Sequence, residues 1–147
     1  MATSRKPRKA YRPKPRTLPL TIRHNAEGDT DLQLIPRLDL EALREGRADE
    51  SQWHGLTARL NLGMVLANNH HPQAAIDVMR SSLDAMRAIS TRHARTGKWG
   101  AAGDELRAIG QGLDVTDEMQ IIATRRELRE ALRTVHQFGT REGMQCQ

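Results

Sequence analysis

Between Pro72 and Thr96, apolar side chains recur every third or fourth residue at Ile76, Met79, Leu83, Met86 and Ile89, with Asp77, Arg80, Asp84, Arg87 and Arg95 between them. That period predicts a long amphipathic helix. Pro72 suits its first turn and Gly97 its C-terminal stop. Upstream, Trp53, Leu56, Leu60, Met64 and Ala67 form a stripe over Glu50 to about Asn68, while Leu62, Val65 and Leu66 make the second half apolar on more than one side. That half is expected to be central, with Asp49 as its cap. Asn68-Asn69-His70-His71 reads as the turn between these two helices.

Downstream, Asp104-Glu105 open a helix with Leu106, Ile109 and Leu113 on its buried face. Gly110 and Gly112 weaken it, and Asp114 to Asp117 is expected to kink or split it before Met119, Ile121 and Ile122. Thr124-Arg125-Arg126-Glu127 fits a capping box, in which the threonine and the glutamate each satisfy a free backbone N–H. The last helix is expected to turn Leu128, Ala131, Leu132 and Val135 inward and to end at Gly139. A short helix from Asp39 to Glu45, closed by Gly46, precedes all of these.

Two runs read differently. Leu18, Leu20 and Ile22 alternate within Thr17 to His24, and Leu32 and Leu34 within Asp31 to Ile35, with Asn25-Ala26-Glu27-Gly28-Asp29 between them. This pattern suits either a short β-hairpin over 17–35 or an extended segment crossing the helices, with Pro36 ending the second run. The expected architecture is all-α, a single-domain bundle of about five helices over 17–139. Residues 1–16 are expected to form a disordered basic arm, and 140–147 a frayed tail.

Composition supports that class. Aromatics are 3% of the chain and hydrophobic residues 37%, so the core must be built from Leu, Ile, Met, Val and Ala, which suits helix packing better than a sheet. The lone cysteine, Cys146, excludes an internal disulfide and a cysteine metal cluster. No apolar run approaches the roughly 18 residues of a membrane span, and no secretory leader is evident, so a soluble cytoplasmic protein is expected.

Charge changes the picture more. Arg5, Lys6, Arg8, Lys9, Arg12, Lys14 and Arg16 crowd residues 1–16 without an acid, leaving 16 basic against 18 acidic side chains in the remainder of the chain. The net charge of +5 therefore belongs to the arm. Pro7, Pro13 and Pro15 disfavour helix there. Such an arm can displace counterions from nucleic acid, and Tyr11 could stack on a base, although a merely solubilising terminus has the same composition. On the body, Arg125, Arg129 and Arg133 are spaced by four with Arg126 beside them, a stripe for phosphate or an acidic protein. Glu127 and Glu130 dilute it, and an Arg126–Glu130 pair would make it an ordinary solvated face. Trp99, between Lys98 and Gly100, either plugs a gap in the core, the favoured reading, or is presented to a partner.

No catalytic constellation emerges. Adjacent His70 and His71 diverge rather than converge on a metal, and the pattern of two helical histidines four residues apart is missing. Ser81-Ser82 has no nucleophile elbow around it, and Gly97, Gly100 and Gly103 follow a helix without the Lys-Ser/Thr of a phosphate loop. No enzyme, cofactor or metal is expected.

The opening Arg5-Lys6-Pro7-Arg8-Lys9-Ala10-Tyr11-Arg12-Pro13-Lys14-Pro15 resembles that of small phage and prophage proteins of proteobacteria, in which a basic, proline-rich start precedes a helical body. The resemblance extends through Leu32-Gln33-Leu34, the Leu43-to-Gly46 helix end, Thr96-Gly97 and Thr124-Arg125-Arg126-Glu127-Leu128. It implies phage or prophage origin and the host cytoplasm, and it implies no activity. The expected role is a non-enzymatic accessory protein that binds nucleic acid or a nucleoprotein complex through its basic arm, with the helical body supplying shape. The alternative is an inhibitor or adaptor docking on a host protein through an apolar helix face or Trp99. A homodimer built on Met64, Met79 and Met86 is compatible with both.

Overall fold

A computed structural model of the chain describes residues 30–145, with side chains from 33 to 139. The described residues form five helices: α1 (Thr30–Arg44), α2 (Glu50–His70), α3 (Gln73–Thr96), α4 (Gly103–Ile122) and α5 (Arg125–Gln145). The arm, the expected run from Thr17 to His24, Tyr11 and Cys146 lie outside the described residues.

Local signals fix most of the boundaries. After α1, the Gly46 N–H donates to Leu43 O (3.2 Å) and the Arg47 N–H to Ala42 O (3.0 Å), a Schellman closure that needs the left-handed φ of +70° at Gly46. Asp49 caps α2 by accepting from the Gln52 N–H (2.8 Å), and Gln52 Oε1 accepts from the Asp49 N–H in return. His71, at φ 60°, closes α2 as the C-cap. Gly97 ends α3 at φ 73°. At the start of α5, Thr124 and Glu127 form the reciprocal box, with distances of 2.6 and 3.2 Å.

Three expectations are corrected. Asp31 to Ile35 is helical, because α1 begins at Thr30 and runs through Pro36. Proline forfeits one backbone bond at about 3 kcal/mol, and packing of Leu40 and Leu43 on the core holds the helix across it. The alternation of Leu32 and Leu34 was too short a run to distinguish strand from helix. Second, α4 is one continuous helix. Asp114 and Asp117, expected to kink it, instead bind arginines of neighbouring helices, and the Thr116 hydroxyl donates to Gly112 O at 2.8 Å inside the turn. Third, Gly139 does not end α5, whose backbone stays helical to Gln145.

Helices α2, α3 and α4 make the centre, α1 lies across α2 and α4, and α5 packs chiefly on α2. The core contains Leu56, Leu60, Leu66, Met79, Met86, Ile89, Ile109 and Leu113, all essentially inaccessible. Two glycines allow the central helices to close. A Cβ on Gly63 would lie 2.1 Å from Thr116 Oγ1, and one on Gly112 would lie 2.4 Å from Ser82 Oγ and 2.6 Å from its Cβ. Met79 and Met86 are consumed by this core and cannot supply the dimer surface expected of them.

Candidate phosphate-binding face

Helix α5 turns Leu128, Ala131 and Val135 toward the body, with Ala131 buried and the other two packed against the core, whereas Leu132, expected inward with them, is 51% exposed because α5 packs by a narrow stripe. The opposite side follows from the 100° step of an α-helix: Arg126, Arg129 and Arg133 project there and are exposed. Arg125, at their edge, is half-buried, and its Nε is enclosed without a hydrogen-bond partner among the described residues. From Arg126 to Arg133 the strip extends about 10 Å along the helix axis.

What sets this strip apart is three arginines close together without an ion-pair partner among the described residues, although Glu130 is exposed on the same face. On the rest of the body most arginines are neutralised, exposed Arg95 excepted: Arg37 reaches Asp114 (2.8 Å) and Asp117 (2.9 Å), Arg59 reaches Asp117 (3.0 Å), and Arg92 grips Glu105. Arg44, Arg47, Arg80, Arg87 and Arg107 each meet an acid close by in sequence. The expected Arg126–Glu130 pair is not formed, and among the described residues no carboxylate lies within ion-pair distance of Arg125, Arg126, Arg129 or Arg133. Glu127 is engaged elsewhere, accepting from the Thr124 N–H and lying 3.3 Å from His70 Nε2. Arg129 and Arg133 thus stand one turn apart as like charges, an arrangement that costs an isolated helix a few tenths of a kcal/mol.

The pairs elsewhere hold the bundle together. Burial opposes the charge of Arg37, but hydrogen bonds to Asp117 and Asp114 outweigh it and raise its pKa. The hydrogen bond from Arg92 holds the Glu105 carboxyl below its ordinary range against the effect of burial, helped by the Ala102 N–H (2.7 Å). Asp39 moves the other way. Its partial burial raises its pKa more than the Gln52 hydrogen bond lowers it.

Trp99 is a plug. Its ring stacks on His93 at 3.7 Å between centroids and 8° between planes, and on Trp53 at 5.3 Å. Trp53 in turn donates Nε1–H to Met86 O at 3.2 Å. A partner using Trp99 would have to take it out of this stack. His70 and His71 are occupied as a Glu127 partner and a helix cap, and among the described residues no three His, Cys, Asp or Glu side chains converge as metal ligands. Ser82 is buried, with its hydroxyl donating to Met79 O.

Sequence reasoning passed over one further surface. Leu34, Ile35 and Leu38 on the outer side of α1 are 54–65% exposed. Read as a strand followed by a proline break, the segment gave no sign of a helical ridge. Leu43 O accepts from the Ala101 N–H, and Arg37 reaches Asp114 and Asp117, so α1 runs antiparallel to α4 and brings Leu34 toward the end of the bundle that carries exposed Ile121 and Ile122.

Comparison with known proteins finds no matching family model, no similar curated protein and no similar solved structure. Among the described residues, no helix is long and apolar enough to cross a membrane.

Proposed function

We propose that this is a non-enzymatic binding protein of phage or prophage origin, acting in the host cytoplasm, that takes up nucleic acid or a nucleoprotein complex through the arginine face of α5. The cations from Arg5 to Arg16 add sequence-independent attraction. The observation behind the reading is the strip Arg126, Arg129 and Arg133, without an ion-pair partner among the described residues, on a body whose other arginines are mostly paired. Like charges held together at a small cost to the helix are accounted for when a polyanion supplies the missing countercharge. Fluorescence anisotropy on labelled oligonucleotides tests it: affinity should fall steeply with salt, and further on deleting residues 1–16 or on combining Arg129→Gln with Arg133→Gln. Affinity unchanged by both alterations would end this reading.

A second reading rests on the exposed Leu34, Ile35 and Leu38, an apolar ridge of the kind that docks on another protein. Capture of one host protein from nuclease-treated lysate, lost in Leu38→Glu and retained in Arg129→Gln/Arg133→Gln, would favour this adaptor role. Capture that disappears with nuclease would dismiss it.

A further inference from the structure

Resting on the nucleic-acid reading above, we infer that the α5 strip takes duplex DNA by its phosphate backbone, without stacking and without base readout. Single-strand binders combine cations with aromatic platforms on which successive bases stack. The strip has no such platform. Trp53 and Trp99 are stacked on each other, and Trp99 also on His93. Phe138, the one Phe, Tyr or Trp of α5, lies about 140° round the helix from Arg133. His136 flanks the strip at one end, a single small ring where a platform needs several.

Charge density argues the same way. The strip's span of about 10 Å faces about six phosphate charges of a duplex, one per ~1.7 Å of axis. Three guanidinium groups in a line can therefore each find a phosphate on a stiff duplex, whereas a single strand must be ordered to present the same row. Because α5 packs chiefly on α2 through Leu128, Ala131 and Val135, the strip lies on the side of α5 turned away from the core. Arginines that reach phosphates alone position the ligand and carry no sequence information.

The test uses the full chain and the triple variant Arg126→Gln/Arg129→Gln/Arg133→Gln. Anisotropy is measured against a 20-base-pair duplex of about 50% GC, a second duplex of unrelated sequence, and one strand of the first. The expected result is about tenfold tighter binding of both duplexes than of the strand. The triple variant should lose that preference and flatten the slope of log affinity against log salt by about 2.7, or ~0.9 per phosphate contact removed. Circular dichroism of the variant should match the parent, since the three side chains are exposed. Strand bound as tightly as duplex, or a variant that keeps its duplex preference, overturns the inference while leaving nucleic-acid binding standing. Absence of binding to all three probes overturns both.

Discussion

Replacing Gly112 by alanine tests the central crossing of the bundle most directly. In an exposed helix interior the change would stabilise by about 1 kcal/mol, because alanine has less backbone entropy to lose. Here the new Cβ would sit 2.4 Å from Ser82 Oγ, 2.6 Å from Ser82 Cβ and 2.9 Å from Leu60 Cδ2, where carbon atoms prefer about 3.5–4.0 Å. The Leu60 methyl can swing aside, but Ser82 Cβ is fixed to the backbone of α3. The two helices must therefore separate by about 1 Å, and overpacking of this kind costs about 1–3 kcal/mol or more. With the intrinsic gain set against it, the net loss is expected at about 1–2 kcal/mol, or about 2–8 °C in Tm for a domain of this size. Thermal and urea unfolding followed by circular dichroism at 222 nm would measure it. Gly139→Ala, at a site with nothing within 4 Å, is the control and should be neutral or stabilising. Adding Ser82→Gly to Gly112→Ala should recover part of the loss beyond the sum of the single changes, since the two sites touch. Gly112→Ala as stable as its parent would refute the close α3–α4 approach.

Other perturbations probe the ion pairs. Asp117→Asn removes the carboxylate shared by Arg37 and Arg59, and Arg59 is only 15% exposed with its Nε already lacking a partner. A loss of about 2 kcal/mol in urea unfolding is expected, far above an exposed pair. Glu105→Gln keeps an acceptor for the Ala102 N–H but gives up the Arg92 pair, costing about 0.5–1 kcal/mol at neutral pH. Because the folded carboxyl titrates below its unfolded value, the parent's advantage is present above the usual carboxylate range and lost as pH falls through the folded pKa. Unfolding curves of the pair should therefore converge in acid. Asp39→Asn should do the reverse: partial burial raises the Asp39 pKa, so the ionised form works against folding at neutral pH. The variant should gain a little stability there and lose the gain in acid, as measured by Tm against pH.

What the sequence determined by itself was everything written within about four residues. The Gly46 closure, the Asp49 cap, the Thr124–Glu127 box and the buried stripe of α3 are local because backbone hydrogen bonds and the 3.6-residue period connect near neighbours. Helix α1 escaped that reading where a short apolar run and a proline outweighed its period, and only packing on α2 and α4 settled it as a helix. The arginines show the same division. Their spacing on the last helix was legible, but whether each had a countercharge was not, because Asp114 and Asp117 meet Arg37 and Arg59 across gaps of more than fifty residues. Tertiary structure decided that Asp114 and Asp117 of α4 serve Arg37 of α1 and Arg59 of α2, and that no acid among the described residues pairs with the arginines of α5. It decided as well that Gly63, and Gly112, which reads as a weak point in its helix, are where helices meet, since closeness between distant segments depends on crossing geometry that no local pattern encodes.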